Sequence, residues 1–321
     1  MPDKNYSKND YLTVTKLAEF EEGKMIKADP AYGVFNAIGM IGSKKVLLRV
    51  VPNSDIVRIA GFKHELKISK VLERSISGLN FPRSISVGSN DKLTWSIREY
   101  FEGEGLTNYA GTGSVLFGYD LIKKKYQNDY LKIILWLDQN IKLIHTCKSV
   151  ELIILVSRRG KRFNLDSSMK KLDRIQNILN IDLTKQVSLY NKYKNWYSEN
   201  NQVPVVGDLV PANIIVGDRG KYFLSDFEWF SFDNKFLDIA LFWLFLWRYP
   251  SWQKTFLQNQ ISSSEDKNNF LLSVIRIIIS CDWHERLMQQ SHEYNKHIWF
   301  RYLVAAGESF DSIMTVKPQK L

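Results

Sequence analysis

Cysteine is nearly missing from this chain: Cys147 and Cys281 are the only two among 321 residues, far apart and outside any C-x-x-C pair. Their scarcity excludes a disulfide framework and a cysteine zinc site and fits a reducing compartment. Histidine is also sparse. His145, His284, His292 and His297 lack the spacing of metal ligands or of a catalytic triad, so they read as structural or surface residues. Long apolar runs are lacking as well, and the most apolar stretch, Ile239–Trp247, falls well short of the roughly 20 residues that a membrane helix needs. The first ten residues are polar and include acids, without the apolar centre of a secretory signal, so the expectation is a cytoplasmic protein. No serine stands in a Gly-x-Ser-x-Gly context, which removes support for a hydrolase elbow.

What is present is the composition of a globular protein, 45% hydrophobic and 24% charged, with enough length for one large domain or two lobes. The 44 basic and 34 acidic residues give a net charge of +10, which suits anionic partners without choosing among nucleic acid, anionic membrane and phosphorylated ligands. The basic clusters Lys123-Lys124-Lys125 and Arg158–Arg162 read as solvated faces, because no zinc-finger spacing or RNA-binding aromatic signature accompanies them. A nucleic-acid partner is therefore not expected.

From Tyr11 to Glu99 the pattern is mixed, with β-rich pieces at Lys45–Val51 and Leu93–Glu99 and a helical pattern over His64–Ser75. Two glycines among acids at Phe101–Leu106 mark a connection. The expected organisation is a first lobe over residues 1–100, a linker over 101–107 and a second, mostly helical lobe over 108–321. Within that second part, apolar periodicity runs over Tyr130–Val156 and Met169–Trp196 and is followed by a β-like block over Val203–Phe227.

The block that carries chemistry is Val205-Val206-Gly207-Asp208-Leu209-Val210-Pro211-Ala212-Asn213-Ile214-Ile215-Val216, with Leu224-Ser225-Asp226-Phe227-Glu228 after a turn at Gly217–Gly220. The turn should join two strands in a hairpin, with Asp208 and Asn213 ahead of one strand and Asp226 behind the other. An aspartate, four residues, an asparagine and a second aspartate after a strand are what phosphoryl transfer requires. One carboxylate orients the acceptor hydroxyl and takes its proton, while an amide oxygen and a second carboxylate suit Mg²⁺, a hard octahedral ion. Asp218 reads as a turn residue and Asp238 as a loop-bracing or helix-capping acid.

These residues resemble the aminoglycoside phosphotransferase and choline kinase-like family, whose loop reads His-Gly-Asp-x-x-x-x-Asn and whose metal motif reads Ile-Asp-Phe-Glu or similar. The likeness continues through Leu237-Asp238-Ile239-Ala240. It implies an α+β, two-lobed protein kinase-like fold with a small β-rich N-terminal lobe and a larger, mostly helical C-terminal one. It also implies ATP or GTP as phosphate donor with Mg²⁺, Asp208 as catalytic base, and Asn213 and Asp226 as metal ligands. Val206 stands where the family's pattern has its loop-supporting histidine. On the nucleotide side the resemblance assigns Arg49 to the phosphates with Glu65 as its partner, Gly33 to a loop covering the phosphates, and Glu99 and Tyr100 to the hinge at the adenine. The acceptor would be a hydroxylated small molecule: choline or another amino-alcohol, a sugar, or an antibiotic-like compound. Trp229, Trp243, Trp247, Trp252, Trp283 and Trp299 could form a cage for a quaternary amine or simply fill a core. The alternative is a catalytically silent nucleotide-binding or regulatory module.

Overall fold

The computed structural model describes residues 8–29, 34–108, 121–157, 170, 172, 174–177, 181–280 and 298–317. Gly33, Arg158–Arg162, Cys281, Trp283, His284, His292 and His297 lie outside the described residues. The chain folds as two compact units, residues 1–104 with 215–228, and residues 105–214 with 229–321.

The first unit opens with helix α1 (Lys8–Leu17), followed by strands β1 (Glu21–Asp29), β2 (Val34–Ile41) and β3 (Lys44–Pro52). Helix α2 (Ile56–Ser75) and strands β4 (Ser84–Ser89), β5 (Leu93–Glu99) and β6 (Gly103–Gly105) come next. The five longer strands form one antiparallel sheet in the order β1-β2-β3-β5-β4. Alternation along β3 explains how it is covered on both faces. Val46, Leu48 and Val50 join Val14, Phe35, Ala37, Leu93, Trp95 and Ile97 in one apolar cluster, whereas Leu47, Arg49 and Val51 project the other way. The register pairs Leu47 with Arg98 and Arg49 with Ser96, so the two arginines share a face. Helix α2 begins earlier than the apolar pattern over His64–Ser75 implies. Asp55 caps it by accepting the Arg58 N–H at 3.1 Å, and its first turn exposes Ile56 and Val57.

In the second unit, helix α3 (Tyr130–His145) is separated from α4 (Val150–Ser157) by a break at Thr146–Ser149, so the Tyr130–Val156 pattern spans two helices. Helix α5 (Thr184–Glu199) leads into strand β7 (Gln202–Val205) and the Asp208 loop, after which the chain returns to the first unit for residues 215–228 and strand β8 (Ile214–Gly217) starts the hairpin. Its partner β9 (Tyr222–Leu224) returns, and together they form a three-stranded sheet in the order β6-β8-β9. The hairpin is the one the sequence calls for. After it, β10 (Ser231–Asn234) pairs antiparallel with β7, and helices α6 (Phe236–Phe245), α7 (Pro250–Gln258), α8 (Ser264–Ser280), α9 (Ile298–Glu308) and α10 (Phe310–Thr315) follow. Helix α6 is buried along almost its whole length, as a sequence apolar at every position but Asp238 demands. The Trp243 ring lies 5.3 Å from Phe270 on α8 and 4.6 Å from Tyr302 on α9. Among the described residues no helix is long and apolar enough to cross a membrane.

One buried ion pair ties this core together. Arg276 on α8 donates to both oxygens of Asp233 on β10, at 2.7 and 2.6 Å, with both residues essentially without solvent access. The neighbouring Asn234 bonds Asn269 on α8 at 2.9 Å and accepts the Phe236 N–H at 3.0 Å, so β10, α6 and α8 are fixed to one another. Removing one member of a buried pair leaves an uncompensated charge. Arg276→Met is expected to cost about 3–5 kcal/mol in urea unfolding. Arg276→Met with Asp233→Leu should recover most of that loss, and a mild single variant would contradict the assignment.

Candidate active site

In the second unit the candidate loop leaves β7 with its backbone clamped. Asp238, in the first turn of α6 and fully buried, accepts the Val206 N–H at 2.8 Å and the Gly207 N–H at 2.9 Å. Gly207 adopts φ +75, and a Cβ there would meet the Trp229 carbonyl oxygen at 2.3 Å, so only glycine fits ahead of Asp208. Pro211 then starts a single 3₁₀ turn to Asn213, whose side-chain amide donates to the Asp208 carbonyl at 2.9 Å. Asp208 and Asn213 are thereby held at the two ends of one short, bonded loop, both partly exposed. His145, read from the sequence as structural or surface, places Nε2 at 3.5 Å from Asp238.

In the first unit, Arg49 from β3 lies over the Phe62 ring at 4.7 Å and reaches Glu65 on α2 at 3.3 Å, the pairing expected from the sequence. Sequence reasoning missed two members of the cluster. Glu228 binds Arg49 more closely, at 2.5 Å, and Arg98 on β5 contacts Glu65 at 3.5 Å. Gly61, one turn before Glu65, gives Glu228 room, since a Cβ there would lie 2.9 Å from its carboxylate. Asp226 holds a left-handed backbone, φ +68, which aspartate tolerates better than most residues, and its buried Oδ1 has no hydrogen-bond partner among the described residues.

Burial works against the charge of Arg49, but Glu228, Glu65 and Asp226 outweigh it and hold the guanidinium above its ordinary value. Arg98 moves the other way, lowered by burial and by Arg49 despite the same carboxylates. Burial, reinforced by Asp226 and Glu65 and opposed by Arg49, pushes Glu228 up from 4.5 to about 7.

Glu99 and Tyr100, which the resemblance assigns to the hinge, lie at the end of β5. The Glu99 N–H donates to the Arg83 carbonyl and the Tyr100 N–H to the Lys45 carbonyl, at 2.8 and 3.2 Å. The Glu99 carboxylate accepts the Arg83 N–H at 3.2 Å, and Lys45 sits over the Tyr100 ring at 5.0 Å while pairing with Glu102. Both backbone donors are committed to the sheet, so a ring docking here would use the carbonyls of this segment.

The cluster makes stability depend on pH. The folded chain retains a proton on Glu228 that the unfolded chain releases, so its contribution is complete below 4.5 and is lost as pH rises through about 7. Thermal unfolding between about pH 5 and about pH 8 is expected to show a fall in Tm that is reduced in Glu228→Gln. Parallel profiles for the two proteins would contradict it. Gly207→Ala is expected to cost at least about 1–2 kcal/mol in chemical unfolding, because it adds left-handed strain to a backbone collision. An unchanged midpoint would show that the loop relaxes.

No protein-family model matches the sequence, and no curated protein matches it. Solved structures align over nearly the whole chain. A thermostable mutant of the aminoglycoside phosphotransferase APH(4)-Ia, in ternary complex with ADP and hygromycin B, aligns with a TM-score of 0.58 at 12% identity, covering 98% of this chain and 100% of that one. The choline kinase LicA from Streptococcus pneumoniae aligns with a TM-score of 0.55 at 13% identity, over 96% and 99% of the two chains. The microcompartment-associated aminopropanol kinase gives 0.53 at 13% identity, over 94% and 99%. The chain therefore has the α+β, two-lobed protein kinase-like fold shared by aminoglycoside phosphotransferases and choline kinases.

Proposed function

We propose that this protein is an ATP-dependent phosphotransferase that moves the γ-phosphate to a hydroxyl of a small molecule. The observation that carries the reading is the half-buried carboxylate Asp226, whose enclosed Oδ1 lacks a donor among the described residues although Arg49 and Arg98 are its electrostatic neighbours. A hard anionic oxygen left without a partner beside fixed cations fits a divalent metal with polyphosphate. The fold supports the same reading, because its structural neighbours include small-molecule kinases and one of them was crystallised with ADP.

Within this reading each residue has a role. Asp208 orients the acceptor hydroxyl and takes its proton, with its place fixed by the Asp238 clamp on the preceding two amides. Asn213 and Asp226 would hold Mg²⁺ through their side-chain oxygens. When bound, the ion neutralises charge on the phosphate oxygens. Arg49 would engage the nucleotide phosphates, kept ionised and aimed by Glu65 and Glu228. The carbonyls near Glu99 and Tyr100 would meet the base, and Gly33 would belong to the loop over the phosphates. ATP is the donor of choice in this proposal, with GTP as its alternative, in the cytoplasm.

For the acceptor, burial removes part of one option. Trp243 and Trp299 are enclosed in the helical core, and the indole N–H of Trp299 donates to the Leu244 carbonyl at 3.2 Å, so neither belongs to a cage for a quaternary amine. A polycationic antibiotic is disfavoured by the net charge of +10. An amino-alcohol or sugar hydroxyl remains the favoured acceptor class.

A second reading, the silent nucleotide-binding module, draws on the 2.5 Å contact between Arg49 and Glu228, which already occupies the guanidinium. The test is transfer of labelled γ-phosphate from ATP with Mg²⁺ into a small-molecule extract. A labelled product formed by the wild type and reduced at least about 1000-fold in Asp208→Ala is expected. Nucleotide binding without transfer in the wild type would favour the silent module, and undiminished transfer by the variant would overturn the role of Asp208.

A further inference from the structure

We infer that the outer face of α2 is a docking surface for an anionic lipid bilayer. The inference concerns the first unit alone and is independent of the phosphotransferase reading. Ile56, Ala60, Lys63, Lys67, Lys70 and Arg74 are all exposed, and their spacing of three or four residues sets them in one narrow stripe along the helix. At 1.5 Å of rise per residue the stripe is about 27 Å long. The opposite side of the helix, with Phe62, Ile68 and Leu72, is buried, and α2 packs against β4 and β5.

Folding alone does not account for the stripe. Lys63 and Lys67, Lys67 and Lys70, and Lys70 and Arg74 are like charges three or four residues apart, and such neighbours destabilise a helix. Among the described residues Lys63, Lys67 and Lys70 have no acidic partner. The acids at its margins are already matched, Asp55 by Arg58 at 3.4 Å and Glu73 by Arg83 at 2.6 Å. The β4–β5 turn, bonded to Asn53 just ahead of the helix, adds Asp91 and Lys92, whose charges cancel. At the N-terminal end Ile56 and Val57 are 75% and 66% exposed, in a first turn where polar or acidic residues are the rule.

The apolar pair and the shape of the face select the occupant. A nucleic acid would meet the lysines and leave Ile56 and Val57 in water. Protein interfaces are depleted in lysine and draw their energy from anchors seated in pockets, whereas the outer side of a helix is a convex ridge. A bilayer uses both features: anionic headgroups attract the lysines, and the exposed apolar side chains enter the boundary below them. The net charge of +10 adds attraction at longer range.

The test is co-sedimentation of the full chain with phosphatidylcholine vesicles, with and without about 30% phosphatidylglycerol, at low and high salt. Retention is expected on the anionic vesicles only, and it should fall as salt rises. Lys63→Gln with Lys67→Gln and Lys70→Gln should weaken binding at least about tenfold, and Ile56→Ser with Val57→Ser at least about threefold. The lysine variant relieves like-charge repulsion, so its Tm should equal or exceed that of the wild type, which separates lost binding from unfolding. Removing three exposed lysines of the second unit, with Lys142→Gln, Lys148→Gln and Lys194→Gln, should change binding less than about twofold. An equal loss in that control would show that net charge binds and not the stripe, and would overturn the inference. Absence of retention on anionic vesicles, or undiminished binding by either α2 variant, would overturn it too. If single-stranded DNA or polyglutamate binds through these lysines and vesicles do not, the stripe serves a dissolved polyanion and the inference fails.

Discussion

Buried negative charge is the constraint on which both units depend. Glu65, Asp233 and Asp238 are each enclosed, and an enclosed carboxylate is tolerated only where donors or cations meet it. Each therefore dictates the position of something else. Asp233 takes both ends of the Arg276 guanidinium and so sets α8 against β10. Asp238 gathers the two amides before Asp208. Glu65 draws Arg49 and Arg98 to one face of the first sheet.

The apolar framework makes these demands strict. Helix α6 is almost wholly buried, so Asp238 on its first turn has no route to water. On the sheet face beneath α2, the half-buried Arg49 is sandwiched by the Phe62 ring and two carboxylates. In such surroundings an unsatisfied polar atom is costly, and among the described residues one buried oxygen of Asp226 has no donor. A divalent cation is the kind of ligand that pairs with such an oxygen, and this is the physical basis of the proposed Mg²⁺ role of Asp226.

Much of this was legible in the sequence. β-rich composition identified β3 and β5, glycine-rich turn chemistry identified the β8–β9 hairpin, and the Asp208–Asn213 spacing identified the loop. The Arg49–Glu65 pair followed from the family resemblance, which sets a strand cation against an acid on the following helix. The start of α2 was hidden because Ile56 and Val57 are apolar yet 75% and 66% exposed, which blurs an amphipathic pattern. The break after α3 had a local signal that periodicity overrode: the Ser149 hydroxyl accepts the Leu152 N–H at 3.3 Å and caps α4. Glu228, Arg98, Arg276 and His145 could not be assigned partners from spacing. Asp233 and Arg276 lie 43 residues apart, and only the tertiary packing decides which buried charges meet.

The most direct measurement of the central claim is titration of a non-hydrolysable ATP analogue into the wild type and Asp226→Asn, with and without Mg²⁺. The account predicts that Mg²⁺ tightens binding to the wild type and that this gain is largely lost in the variant. Equal affinity with and without Mg²⁺ in the wild type, or an undiminished gain in Asp226→Asn, would contradict it.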